Sequence, residues 1–491
     1  MDSSARPPVI VWFRRDLRLT DNPALNAATE TNSPLILLYI LEEGGDKKRP
    51  LGGASRWWLN KSLQRLAQDI NKRGGSLTLR RGPSQKILEK IISETGAKEV
   101  FWNRRYNIAE RSDDKTIKTA LTARGLKIQS FNANLLTEPW TYQTKGGSYY
   151  KVFSPYWRKL QNTYHPPPAL DKPTKLDTHK IASESLADWA LHPSSPDWST
   201  GFDASWTPGE DTARSRLSAF LSGPINQYQD HRNRPDIEHG TAGLSPHLAF
   251  GEISPAQIWR AVTHRIDAGH ADPKNAMIFL SQIAWREFSY VLLFHNPDLS
   301  TENYNPSFEH MPWRQDAKSI QAWQRGQTGY PMVDAGMRQL WQTGWMHNRV
   351  RLIVASFLTK HLLLHWTSGE TWFWDTLVDA DPAANAASWQ WTAGSGADAA
   401  PYFRVFNPIT QGAKFDVTGD YVRKFCPELA RLPTKFIHRP WEAPPAVLAQ
   451  AHVKLGDTYP LPIVDHKIAR ERALAGYSEL KEKKAAAADG A

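Results

Sequence analysis

Cysteine is nearly missing: Cys426 is the single one among 491 residues. No intramolecular disulfide can form, and a reducing compartment suits the chain, the cytoplasm of a bacterial cell being the expected place. Any run of about 18 apolar residues is missing too, so no membrane-spanning helix and no membrane partner are expected. The opening MDSSARPPVIVWF lacks the apolar region of a signal peptide, and its apolar run reads as a first strand. No GxGxxG follows any strand-like run, so a Rossmann dinucleotide site is unsupported. HExxH, paired CxxC and GxSxG are absent, and neither a metal nor a side-chain nucleophile is expected.

What is present is a large globular chain. Hydrophobic residues make up 41% and glycines number 30. That composition and length suit two or three domains. Lys and Arg total 60 against 50 Asp and Glu, a net charge of +10 that suits an anionic partner. Tryptophan is abundant, with 21 residues, which points to ligand stacking or electron transfer.

The first ~135 residues alternate strand and helix. VIVWF (Val9–Phe13), LILLYI (Leu35–Ile40), LTL (Leu77–Leu79) and EVFWN (Glu99–Asn103) read as buried parallel strands. Ala54–Arg73 and Ser84–Gly96 carry apolar residues three and four apart, the helical spacing. This predicts a doubly wound α/β unit over residues 1–135. From 136 to 206 the pattern collapses into Pro- and Ser-rich stretches, read as a long linker over the surface. Residues 207–478 read as all-helical, with Ala276–Phe294 a buried helix and Ala335–Leu364 a long helical stretch without Asp or Glu. The end, residues 479–491, reads as a frayed helix or a short tail.

Four segments can carry chemistry. In Asp379–Pro408, Trp389 and Trp391 flank Gln390 and would point about 200° apart on a helix. Core packing is the ordinary use of such tryptophans, and turn formation or capping that of Asp379 and Asp381. Arg286 and Glu287 fall inside the buried helix and need partners there or a ligand. In GWMHNRVRL (Gly344–Leu352), Arg349 suits a phosphate, Arg351 suits an acid such as Asp379, and His347 suits a structural hydrogen bond. GTAGLSPHLAFGEIS (Gly240–Ser254) reads as a turn and helix start whose hydroxyls and N–H groups suit a phosphate.

Each segment alone is ordinary, but their joint order is not. VWFRRDLRLTDNPAL, TAGLSPHLAFGEIS, WREF, WQRGQTGYPMVDAGMRQLWQTGWMHNRVR and Asp379–Pro408 resemble the DNA photolyase/cryptochrome family in order and spacing, from about Val9 to Tyr459. GWMHNR with WQW is similar to bacterial photolyases for cyclobutane pyrimidine dimers. PELARLPTKFIHRPWEAP (Pro427–Pro444) is similar to plant cryptochromes and to the class III photolyases nearest them, which favours class III over class I.

The resemblance implies an α/β antenna unit joined to an all-helical FAD-binding unit. It places FAD phosphates near Tyr228, Thr241, Leu244 and Ser245. It lines the flavin with Arg286, Asn348, Asp379, Asp381 and Asn385, sets Asn385 at flavin N5, and pairs Arg351 with Asp379. Trp389, Trp366 and Trp313 would relay electrons to the surface. Trp285 and Trp391 would wall the flipped-out dimer, a stacking role usual in enzymes that extrude bases. Arg232, Arg349, Arg404 and Lys414 would grip phosphates, and residues 401–440 carry seven Lys/Arg against three Asp/Glu. The implied reaction is light-driven: excited reduced flavin lends an electron to the dimer, the ring opens and the electron returns. The implied partner is UV-damaged DNA, met by a monomer without an obligate protein partner.

Two departures from the family pattern stand out. Gln282 occupies the place of the glutamate usual in dimer photolyases, as in (6-4) photolyases. Yet Asn348 and Leu352 stand where the (6-4) group carries histidines. Ala242-Gly243 replaces the frequent Ser-Arg, which predicts weaker flavin binding. An antenna pigment, methenyltetrahydrofolate or a deazaflavin, is expected near Gly52–Leu63 or Asn103–Arg111, unless Trp57 and Trp58 are plain core. A blue-light sensor is the alternative function, disfavoured by Asn385, Trp285, Trp391 and the little sequence after Ser478. A passive basic nucleic-acid-binding protein would have no use for Asp379, Asp381 and the relay tryptophans.

Overall fold

The computed structural model describes residues 6–42, 49–399 and 403–489. Five parallel strands, β1 (Val9–Phe13), β2 (Leu35–Leu41), β3 (Leu77–Arg81), β4 (Glu99–Asn103) and β5 (Lys127–Phe131), form one sheet in the order β3-β2-β1-β4-β5. The crossover helices Pro23–Thr29, Gly53–Asn71, Ser84–Thr95 and Ile108–Ala123 cover it. Strands β1 and β2 are buried along their whole length, which explains their unbroken apolar runs. Two apolar clusters lie on opposite faces of the sheet. Val9, Val11 and Phe13 join one, and Ile10 and Trp12 the other. β5 and the Ile108–Ala123 helix are additions to the sequence reading. β5 pairs on one side only, has no fully buried residue and reads KIQSF, so it shows no apolar run.

Residues 136–206 are more than a surface wrap. Phe153–Thr163 is a helix that buries Phe153, Tyr156 and Leu160 on one stripe, in the same core as the long Pro273–His295 helix. Trp189 and Leu191 join the core under the sheet.

The remainder is helical. Ala335–Leu364 is not one helix: Pro331–Thr343 ends at Gly344 in a left-handed C-cap (φ 66°), and Asn348–Ser356 starts anew, capped by His347. At the C-terminus the helix His466–Asp489 runs on past residue 479, into the end read as a frayed helix or a short tail. LKEKKAAAA consists of strong helix formers, so the helix continues. Among the described residues no helix is long and apolar enough to cross a membrane.

The helical part locks onto the sheet through backbone contacts. The Glu210 carboxylate accepts from the Leu19 and Thr20 amides, and Arg18 donates to the carbonyls of Gly251 and Ala133. A Cβ at Gly251 would lie 2.0 Å from the Arg15 carbonyl oxygen, and its φ is 66°, so only glycine fits there.

Candidate active site

A cavity of about 520 Å³ opens inside the helical part. Its size falls within the range of ligand pockets. Four pieces of chain build it: the turn at Thr241–Ser245, the Pro273–His295 helix, the Asn348–Ser356 helix, and the Ala384–Ala393 helix with the turn before it. Tyr228, Thr241, Leu244, Ser245, Arg286, Asn348, Arg351, Asp379, Asp381 and Asn385 all line it. Gln282, Trp285, Trp389, Trp391 and Arg232 line it as well.

The carboxylates serve both their ordinary and their special uses. Asp381 Oδ1 accepts from the amides of Ala383 and Ala384, both at 2.9 Å, at the start of the Ala384–Ala393 helix. Its Oδ2 accepts from the Tyr290 hydroxyl at 2.8 Å and lies 4.0 Å from Arg286 Nε. Asp379 takes both oxygens to Arg351, at 3.0 and 2.8 Å, and Arg351 also donates to the Met346 carbonyl. Arg286 donates to the Asn134 carbonyl, while Glu287 accepts from the Leu136 amide at 2.6 Å. Burial pushes the Glu287 carboxyl up to about 8 despite the neighbouring Arg286. His347 is buried and accepts from the Arg349 amide as a helix cap. Burial, then Arg349 and Arg351, hold it down to about 3, so it stays neutral.

Asn385 is held in one orientation. Its amide nitrogen donates to the Glu370 carboxylate at 2.8 Å and to the Glu370 carbonyl at 3.0 Å. The carbonyl oxygen Oδ1 is left for the cavity. Glu370 is itself held by a two-pronged ion pair with Arg49, which reaches in from the α/β unit at 2.7 and 2.9 Å.

The aromatic residues divide into a wall and a relay-like row. Trp285 stacks on Phe153 at 3.8 Å and 10°. The Phe153 amide donates to the Asp398 carboxylate, and Trp391 Nε1 donates to the Asp398 carbonyl, so one residue ties the two tryptophans of the wall. Trp389 and Trp366 are buried, whereas Trp313 is partly exposed. Trp313 and Trp366 both contact His365, at 5.3 and 5.6 Å between ring centroids. Trp389 packs against Gly369, one turn after Trp366 on the helix Trp366–Thr376, where a Cβ would lie 2.1 Å from the indole. Phe373 and Trp323 also meet Trp389 edge-on, at 5.0 and 6.1 Å. Among the described residues the buried Trp389 indole N–H has no hydrogen-bond partner.

Arg349, Arg404 and Lys414 lie off the cavity lining. Arg349 bonds Asn233 Oδ1, and Arg349 and Lys414 share the face of Phe415. Burial, and then the charges of Arg232 and Arg404, hold Arg349 below the usual guanidinium range. Three guanidinium groups thus lie close enough to act on one another, with Arg232 on the cavity lining, an arrangement that favours an anion. Gln282 accepts from Arg232 at 2.8 Å. Gly243 has φ 61°, and a Cβ there would meet the Arg216 guanidinium at 2.7 Å, so a cation already flanks this departure from the family pattern.

Phe153, Asp398, Glu370, Gly369 and Arg49 escaped the sequence reading. All five act through neighbours distant in sequence, and none has a local signal. Trp57 and Trp58 are fully buried core, packed on Phe202, Trp206 and His247. Among the described residues no group of three or more His, Cys, Asp or Glu could hold a metal.

Comparison with known proteins agrees with this geometry. The family profile "DNA photolyase" matches residues 9–174, and "FAD binding domain of DNA photolyase" matches 279–479. The chain is 54% identical over 477 residues to the deoxyribodipyrimidine photo-lyase of Agrobacterium fabrum, covering 97% of this chain and 98% of that one. The chain belongs to the DNA photolyase family. Another relative of the photolyase-family chain is cryptochrome-1 of Arabidopsis thaliana, 38% identical over 97% of this chain and 71% of that one. Among solved structures, a class III photolyase from Agrobacterium tumefaciens superposes with a TM-score of 0.94 at 53% identity, covering 98% and 99%. A cryptochrome from Synechocystis superposes with 0.86 at 26%, covering 96% and 100%.

The photolyase-family cavity also fits the cofactor named by its FAD-binding domain. It joins apolar walls to a polar turn and offers an oriented amide acceptor at Asn385.

Proposed function

We propose that the chain is a deoxyribodipyrimidine photo-lyase that splits cyclobutane pyrimidine dimers in DNA under blue light. The observation that carries this reading is one continuous cavity. Asn385, Asp379 and Asp381 line it together with Trp285, Trp391 and Arg232, and Arg349 lies within reach of the charges of Arg232 and Arg404. When bound and reduced, FAD supplies the light-excited electron for ring opening.

The protein's part is orientation. Asp379 with Arg351 and Asp381 with Tyr290 fix charges along the flavin edge. Glu370 turns Asn385 so that it offers an acceptor, not a proton, to a ring N–H. The Trp285–Asp398–Trp391 wall gives a flipped-out dimer two aromatic surfaces and excludes water. Arg232, Arg349, Arg404 and Lys414 hold the phosphates. Trp389, Trp366 and Trp313 carry electrons inward from the surface. Gln282 holds the Arg232 guanidinium at the cavity through its side-chain carbonyl.

In the same reading residues 1–135 carry an antenna, a folate or deazaflavin. Asn103–Arg111 is the better place, since Trp57 and Trp58 are core. Residues 136–206 connect the units and supply Phe153 to the wall. Residues 207–478 hold FAD and DNA, and the protein works as a monomer in the bacterial cytoplasm.

The test is direct. Photoreduced protein is illuminated with an oligonucleotide containing a thymine dimer, and restored thymines are followed by chromatography against a dark control. Light-dependent restoration is expected. No restoration despite bound, reducible flavin would overturn the reading, and a (6-4) substrate would be tried next because of Gln282.

A further inference from the structure

Lys360 is a buried ammonium, 3% exposed, that forms no ion pair among the described residues. It sits in a single π-turn, Phe357–His361, that continues the Asn348–Ser356 helix. Such turns insert one residue into a helix and are frequent at functional places. Lys360 Nζ donates to the Thr392 carbonyl at 2.5 Å and to the Arg404 carbonyl at 2.6 Å, and lies 4.7 Å over the Phe403 ring. Thr392 is the penultimate residue of the Ala384–Ala393 helix, where carbonyls lack helical partners and a cation is favoured. Burying an ammonium without an acid is costly, and water or a neutral donor could satisfy two carbonyls. Nothing in the repair reaction uses this charge.

We propose that Lys360 is a positioning residue for damaged DNA: it clamps the end of the Ala384–Ala393 helix to the Arg404 backbone and so sets the spacing between Trp391 and the Arg404 guanidinium. This rests on the repair reading of the cavity. Trp391 directly precedes the clamped Thr392, and Arg404 is the other clamped residue. Both line one small crevice with Lys360. The stacking wall and a phosphate contact are thereby held in register by one side chain.

The surroundings give the clamp a pH dependence. Burial, and then the charge of Arg404, hold the Lys360 ammonium down to about 7. Arg404 flanks it on the segment after the Ala384–Ala393 helix. His361 is its neighbour on the turn. His466, Arg472 and Tyr477, with Lys481 over the Tyr477 ring, come from the C-terminal helix. Burial holds His361 down to about 3 and lowers His466, so neither histidine gains charge above pH 7. A phosphate on Arg404 relieves the repulsion and favours the charged clamp. DNA affinity therefore falls as pH rises above about 7. Stability runs the other way. The unfolded chain holds the Lys360 proton over a range where the folded chain has lost it, so the penalty that Lys360 puts on stability shrinks as pH rises above about 7.

Full-length, flavin-loaded wild type, Lys360→Met and Lys360→Arg are titrated with a fluorescent dimer-containing oligonucleotide from pH 6.5 to 9 at fixed salt. Lys360→Met is expected to bind about tenfold more weakly at pH 7, the usual loss for hydrogen bonds to a charged group, with flavin content and melting temperature retained. Lys360→Arg is expected to bind like wild type at pH 7 and to show a flat profile above it, while wild type weakens. A Lys360→Met protein with wild-type affinity overturns the clamp, as does a Lys360→Arg profile that falls like wild type. If Lys360→Met loses flavin, the Lys360→Arg profile decides alone. A wild-type protein with no preference for the dimer-containing strand overturns the repair reading, and the clamp's purpose with it.

Discussion

At the scale of single residues, Gln282 is the informative difference. Its carbonyl is taken by Arg232 and its amide by Ser281 and the Ile278 backbone. A carboxylate there would form an ion pair with Arg232, but its second oxygen would lose the bond that the amide gives the Ile278 carbonyl. Gln282→Glu is expected to raise the number of thymines restored per absorbed photon, and an unchanged or lower yield removes Gln282 as a limit on repair. Glu287 offers a second test. Its folded pKa lies near 8, above the ordinary carboxyl value, so the folded chain holds the extra proton. The contribution of Glu287 to stability is therefore greatest in mild acid and declines as pH rises toward about 8. Glu287→Gln keeps the shape and removes the titration. Melting temperatures from pH 5 to 8.5 should fall less steeply in the variant. The residues lining the cavity were legible in sequence because their motifs are contiguous: WREF, GWMHNR and DADPAANAASWQW. Asp398 and Glu370 were not, because an acid near a tryptophan or an asparagine says nothing until folding brings the partners together.

At the scale of elements, packing decides how the tryptophan row sits. Gly369 leaves room for the Trp389 indole on the helix that carries Trp366. Gly369→Ala is expected to cost about 1–3 kcal/mol, the usual penalty for overfilling a core, and to slow photoreduction of bound flavin. Denaturant unfolding and flavin absorbance under light check both parts. Trp366→Phe is expected to keep the fold and lose most photoreduction, while chemically reduced protein still repairs. Equal photoreduction in the variant would take Trp366 out of the route. Strands β1, β2 and β4 were readable because burial on both faces leaves unbroken apolar runs. β5 was not, because an edge strand with no fully buried residue carries a weak pattern. The break at Gly344 was hidden by apolar spacing that continues on both sides of it. A left-handed cap depends on one φ angle, which hydropathy does not report.

At the scale of the whole molecule, the net charge is +10, and residues 401–440 carry seven Lys/Arg against three Asp/Glu. If Arg232, Arg349, Arg404 and Lys414 each neutralise a phosphate, the logarithm of affinity should fall with the logarithm of salt at a slope of about −3 to −4. Replacing any one with alanine should flatten that slope by about one. A slope unmoved by all four variants would place the DNA elsewhere. The division into an α/β part and a helical part was legible from pattern alone, because strand-helix alternation and uninterrupted helical spacing are long-range signals. The way the parts are joined was not.

That joint includes Arg49, whose two-pronged grip on Glu370 crosses from the sheet side to within one hydrogen bond of Asn385. For anyone exchanging parts among relatives, the two units are therefore not interchangeable modules. A chimera with a foreign α/β unit must bring its own cation to that spot. Otherwise it leaves a buried carboxylate uncompensated at the rim of the cofactor chamber, and the colour of the bound pigment would report the mismatch before any repair assay did.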